Sequence, residues 1–175
     1  MFETTYRTHT CGELTTKDLK KEVKLCGWVN SRRDHGGIIF IDLRDRYGFT
    51  QVVIDPKKNP EAEKLKREWC ISVTGSVRVR PKGMENSKLI TGQIEVDTKN
   101  LEVMSESQVP PFEIDDKMEA NEDLRLKYRY LDLRRPKMQE HLAIRHRIAR
   151  ATREYLSSKG FLEIETPILV KPTPE

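Results

Sequence analysis

Arg33 offers a rigid fork of donors, and Gln51 both donates and accepts. On neighbouring strands, such a pair can read the edge of an RNA base. Phe40 lies in the run Ile38-Ile39-Phe40-Ile41, where alternation sets it on the face opposite Ile39 and Ile41. By composition alone the ring reads as core. Glu95 reads as a surface carboxylate, His35 as a turn histidine before Gly36-Gly37, and Glu175 as a solvated terminal group. Arg78 and Arg80 suit contacts to backbone phosphate. Cys11, Cys26 and Cys70 are odd in number and form no CxxC pair, which argues against a disulfide framework and a zinc site. No metal is expected.

These side chains need strands to hold them. Val23 to Asn30 alternates, with Val23, Leu25 and Val29 on one face and Lys24, Cys26 and Trp28 on the other. Gly36-Gly37 is a break, and Gly37 to Arg44 is a second strand. Phe49 to Asp55 is a third, set off by the turn Arg46-Tyr47-Gly48. Glu61 to Glu68 has helical composition after Asn59-Pro60. Ile71 to Arg80 and Gln93 to Met104 complete five strands, with Gly83 in the polar loop between them. Three strands, a helix and two strands is the order of the OB-fold, a five-stranded Greek-key barrel that presents its second and third strands to oligonucleotides. The fold is therefore expected to be mainly β.

Val109-Pro110-Pro111-Phe112 then reads as extended linker. Leu142 to Lys159 repeats Ile144, Ile148, Ala151 and Tyr155 at helical spacing, Gly160 ends the helix, and Phe161 to Leu169 reads as extended. The expected division is 1–108 for the barrel, 109–137 for a linker or hinge, and 138–175 for the start of a second domain. One helix and one strand cannot enclose a core, so that second unit needs a partner.

The net charge of +4 conceals a segment, 109–123, with Lys117 against six carboxylates. Residues 124–153 follow with ten basic groups against Asp132 and Glu140. Such swings suit polyanion binding but also arise on solvated helix faces. With no apolar N-terminal segment and no run near the ~18 residues of a membrane span, a reduced, cytoplasmic, soluble protein is expected.

Three stretches carry a resemblance: Cys26 to Arg46 (CGWVNSRRDHGGIIFIDLRDR), Arg125 to Arg135 (RLKYRYLDLRR), and Lys159-Gly160-Phe161 with Ile164 and Pro167-Ile168-Leu169. The third matches the first signature motif of class II synthetases. Together they resemble the N-terminal portion of bacterial-type aspartyl-tRNA synthetases. The resemblance implies an OB-fold anticodon-binding domain, a hinge, and the start of an α+β catalytic domain, a long helix plus a strand. Its second and third motifs, whose arginines hold ATP, would lie beyond Glu175. The full-length enzyme would attach L-aspartate to tRNA(Asp) through aspartyl-adenylate, using ATP and Mg2+. This chain alone would hold neither, have no catalytic residue and be inactive.

The resemblance also implies roles for single residues. Phe40 would stack on an anticodon base, Arg33 and Gln51 would read the middle base, and Glu95 would accept from the first, a guanine. His35 with Gly83 marks members that read the third base loosely and charge tRNA(Asn) as well, leaving an amidotransferase to convert the product. Glu175 would sit near the ammonium of bound aspartate. The first motif would mediate a homodimer. The alternatives are a free-standing OB-fold module for RNA or single-stranded DNA, against which the first motif argues, and the asparaginyl or lysyl relatives. Arg-Arg-Asp-His-Gly-Gly favours aspartyl.

Overall fold

A computed structural model describes residues 4–117 and 120–169. Strands β1 (Glu22–His35), β2 (Ile38–Arg44), β3 (Phe49–Ile54), β4 (Cys70–Val79) and β5 (Ile94–Ser105) run in the ring order β1-β2-β3-β5-β4, with β4 pairing back onto β1. All pairings are antiparallel except β3 with β5, which meet in parallel at Val52 with Val96 and Val53 with Asp97. The chain divides into two compact units, Met1–Pro110 and Pro111–Glu175.

The expected alternation is what fills the barrel. Val23, Leu25 and Val29 of β1, Ile39, Ile41 and Leu43 of β2, and Val52 and Ile54 of β3 are buried in one core cluster. β1 runs five residues beyond the expected end at Asn30. A bulge between Val29 and Ser31 shifts its register, and the extension pairs with β2 alone. The Arg-Arg-Asp-His sequence there shows no apolar alternation because this arm rises clear of the core. Gly36 and Gly37, at φ of 62° and 79°, make the two-residue turn into β2.

The helix expected over Glu61 to Glu68 is instead a short 3-10 segment, Pro60–Lys64. The backbone beyond it is drawn into the sheet: Glu68 N–H donates to the Val29 carbonyl, and Val29 N–H donates to the Trp69 carbonyl. Glu68 takes a φ of 65° to do so. The Asn59 side chain accepts from Leu101 N–H rather than capping a helix. The Glu68 carboxylate in turn accepts from Arg44 Nη2 at 2.9 and 2.8 Å, while Arg44 Nη1 donates to Asn30 Oδ1 at 2.8 Å.

In the second unit, Glu122–Lys127 (α1) and Arg129–Asp132 (α2) precede α3 (Pro136–Ser158). The two short helices were not foreseen from the sequence. The Asp132 carboxylate is fully buried and accepts from Arg125, Arg129 and Arg135. Burial alone would raise its pKa, but hydrogen bonds from Arg125 and Arg135 outweigh it and hold the group below the ordinary carboxylate value. Because the folded pKa is depressed, its stabilisation is complete above the unfolded value of about 3.9 and is lost as pH falls through the folded one. Protection of the α1 and α2 amides from hydrogen exchange, taken relative to an unstructured chain at the same pH, should therefore fall on acidification below about pH 4. In Asp132→Asn that acid step should be absent; persistence of the step would assign it to another carboxylate.

Helix α3 ends as expected, with Gly160 at a φ of 85°. None of its residues is buried, and Ile148 and Tyr155 of the expected stripe are 62% and 63% exposed. The expected strand after Gly160 is not formed among the described residues, which up to Leu169 join no β-ladder, although Glu163 accepts from Arg153 Nε at 2.9 Å. Strands need a partner edge, and none is offered there. Glu175 lies outside the described residues. Among the described residues, no helix is long and apolar enough to cross a membrane.

Candidate nucleic-acid interface

On the outer surface of the ring, four of the expected readers stand on adjoining strands. Arg33 of β1 lies opposite Phe40 of β2, Phe40 lies opposite Val53 of β3, and Gln51 lies opposite Asp42. The parallel junction sets β5 beside β3, and Glu95 of β5 faces Arg78 of β4. Phe40 points away from the buried Ile39 and Ile41, as alternation requires, and is partly exposed.

A line of hydrogen bonds ties these groups together. Arg33 Nη2 donates to Asp42 Oδ1 at 2.9 Å and to Gln51 Oε1 at 3.4 Å. Gln51 Nε2 donates to Glu95 Oε2 at 2.8 Å, and Arg78 Nε donates to Glu95 Oε1 at 2.8 Å. Arg78 Nη1 also reaches Asp97 Oδ1 at 3.2 Å, and Ser31 Oγ donates to Asp42. The network fixes the amide of Gln51: its oxygen faces a guanidinium and its nitrogen a carboxylate. A reader whose donor and acceptor ends are already oriented loses less entropy when a base arrives.

Three placements depart from expectation, the first being Gln51, which is buried at 8% exposure. Glu95 is only 1% exposed, with a donor on each oxygen before any RNA is present. It therefore orients Gln51 and Arg78 in the free protein, a reason for a carboxylate here besides base reading. Arg80 is 5% exposed, donates from Nε to the Ile94 carbonyl at 2.9 Å, and is not presented to a phosphate. Burial lowers its pKa, against the pull of Glu95 and Asp42. Sequence reasoning passed over Asp42 and Asp97. The outward parity that Asp42 shares with Phe40 was the available signal.

The face balances the Arg33 and Arg78 guanidiniums against Asp42, Glu95 and Asp97. Such a patch gains little from phosphate charge, so stacking and base-edge hydrogen bonds must dominate its selectivity. Exchanging Glu95 for Gln keeps the volume but leaves one oxygen to serve two donors. Glu95→Gln should cost about 1–2 kcal/mol in urea denaturation, as expected for a charged hydrogen bond lost in the interior. An unchanged midpoint would show that Arg78 and Gln51 find other acceptors.

The loops that flank an OB-fold's oligonucleotide face are those between β1 and β2 and between β4 and β5. His35 ends β1 and pairs with Ile38 across the first of these. Gly83 lies in the second, at a φ of 85°, with open space where a Cβ would stand.

Residues 23–104 match the family model described as OB-fold nucleic acid binding domain, and residues 121–175 match that of tRNA synthetases class II (D, K and N). The chain is 55% identical over 97% of its length to an aspartate–tRNA(Asp/Asn) ligase of Protochlamydia amoebophila. It is 54% identical over 97% to another of Moorella thermoacetica. In each case it spans 29% of the relative. Its structure resembles that of asparaginyl-tRNA synthetase from Pyrococcus horikoshii, with a TM-score of 0.77 and 30% identity over 93% of this chain and 37% of that one. A barrel with an ordered outer face, continued by a class II synthetase segment, is one arrangement in sequence and structure alike: the chain belongs to the aspartyl-tRNA synthetase family of class II tRNA synthetases.

Proposed function

We propose that the outer face of the barrel binds the anticodon loop of tRNA, as part of a ligase that joins L-aspartate to tRNA(Asp) in the cytoplasm. The observation that carries this reading is the hydrogen-bonded line Arg33–Gln51–Glu95–Arg78 beside the outward ring of Phe40. It presents a stacking platform next to oriented donors and acceptors, the equipment for reading unpaired bases. In this reading Phe40 stacks, Arg33 and Gln51 read the middle base, and Glu95 accepts from the first through lone pairs left by its two present donors.

The names of the relatives extend the proposal to tRNA(Asn). His35 and Gly83, on the two flanking loops, are the residues assigned to loose reading of the third base. ATP and Mg2+ serve the full-length enzyme, Glu175 contacts aspartate there, and α3 with the segment after it pairs two subunits; the exposure of Ile148 and Tyr155 supports that pairing.

Titration of this chain with anticodon stem-loops of aspartate, asparagine and an unrelated tRNA tests the interface. Tighter binding of the first two is expected, and equal binding of all three would overturn specific readout. Charging of purified tRNA(Asn) by the full-length enzyme tests the wider specificity, and no detectable product would overturn it.

A further inference from the structure

Away from the proposed RNA face, three sulfur atoms converge on the outer surface of the barrel. Cys26 of β1 lies opposite Ser72, and Cys70 opposite Trp28, so the two cysteines are diagonal neighbours across the β1–β4 ladder. Interaction with the Cys70 thiol lowers the pKa of the Cys26 thiol to about 7. The register between β4 and β5 then steps from Cys70 with Ser105 to Ile71 with Val103. Met104 is the extra residue of that bulge, and bulges re-aim side chains. Here the bulge brings Met104 Sδ to 3.3 Å from Cys26 Sγ. Both cysteines are half-buried, and Met104 is 39% exposed, so the cluster is open to solvent.

We propose that the Cys26, Cys70 and Met104 sulfurs form a binding site for a soft monovalent cation, Cu(I). Thiolate and thioether donors select Cu(I) over hard cations. Zinc is a poorer match, since structural sites use four N, S or carboxylate donors. Among the described residues, no three His, Cys, Asp or Glu side chains come together to hold a metal. A disulfide is also disfavoured. Diagonal strand neighbours lie about 7–8 Å apart at Cα, beyond the roughly 4.4–6.8 Å that a disulfide spans. A metal bridges the gap without moving the strands. On binding, the two thiol protons pass to solvent as two S–Cu bonds form, the thioether donates a lone pair, and no electron is transferred.

The test is an anaerobic titration of the reduced chain with Cu(I) buffered by bathocuproine disulfonate. One Cu(I) per chain is expected, with release of up to two protons and an X-ray absorption spectrum showing three sulfur neighbours. Cys26→Ser, Cys70→Ser and Met104→Leu should each weaken binding by about tenfold or more. Circular dichroism of each variant separates loss of the ligand from loss of the fold. If the Cys26→Ser/Cys70→Ser double variant binds Cu(I) as tightly as the parent, the site is overturned. If Met104→Leu does so, the three-sulfur geometry is overturned.

Discussion

Replacing Phe40 by Ala is expected to weaken binding of the aspartate anticodon stem-loop by about 1–3 kcal/mol, roughly 5- to 150-fold, the worth of one base stacked on an aromatic ring. The ring is on the outer face, opposite Arg33 on one side and Val53 on the other. The inner wall of the same strand is filled by Ile39, Ile41 and Leu43. Loss of the ring therefore opens no void in the core, and urea stability should fall far less than affinity. Phe40→Leu keeps apolar bulk while removing the π-face and should lose nearly as much affinity as alanine. Phe40→Trp should retain it. If leucine binds as well as phenylalanine, the contact is packing rather than stacking. If alanine binds equally well, the proposed RNA face is wrong.

Arg44→Ala should be the most destabilising of the changes considered, at about 3–5 kcal/mol, the cost of removing one partner from a buried ion pair. The two side chains are 12% and 8% exposed, and one guanidinium serves both the Glu68 carboxylate and the Asn30 amide. These contacts tie the end of β2 to β1 and to the segment whose backbone pairs with Val29. Without Arg44, the Glu68 carboxylate loses the Nη2 that donates to both of its oxygens, in a place that water scarcely reaches. Adding Glu68→Gln to Arg44→Ala removes the buried charge and should restore part of the loss. Denaturation followed by tryptophan fluorescence reads both effects, because Trp69 is 7% exposed and adjoins Glu68. A loss under about 1 kcal/mol would mean that the pair behaves as a surface salt bridge.

Strand alternation was a dependable guide wherever a strand has one wet and one dry face. It put Ile39 and Ile41 inside and Phe40 outside, and it identified Gly36-Gly37 as a turn. It failed where long-range pairing overrode local pattern. Residues 61–68 have the composition of a helix, yet Val29 captures Glu68 and Trp69 as backbone partners. The burial of Glu95 could not be read from its own strand, because its partners come from β3 and β4. The Cys26–Met104 approach depends on a bulge, which leaves no composition signal. Asp132 was counted as one acid among many bases, when it is the point on which three of those bases converge.

The way the ring closes bears on how the chain is made. β1 must find β4, and β3 must find β5 in parallel, across long stretches of sequence. Folds dominated by such distant pairings assemble over milliseconds to seconds rather than microseconds. On the ribosome, at about 5–20 residues per second, the chain between Ile54 and Ile94 takes several seconds to emerge. Through that interval the nascent β1-β2-β3 meander exposes two unpaired edges, which are sites for wrong partnering. The polar Arg-Arg-Asp-His arm guards one end of the first edge, but β3, with Val52, Val53 and Ile54 in a row, has no such guard. That nascent edge is where a chaperone would be needed soonest.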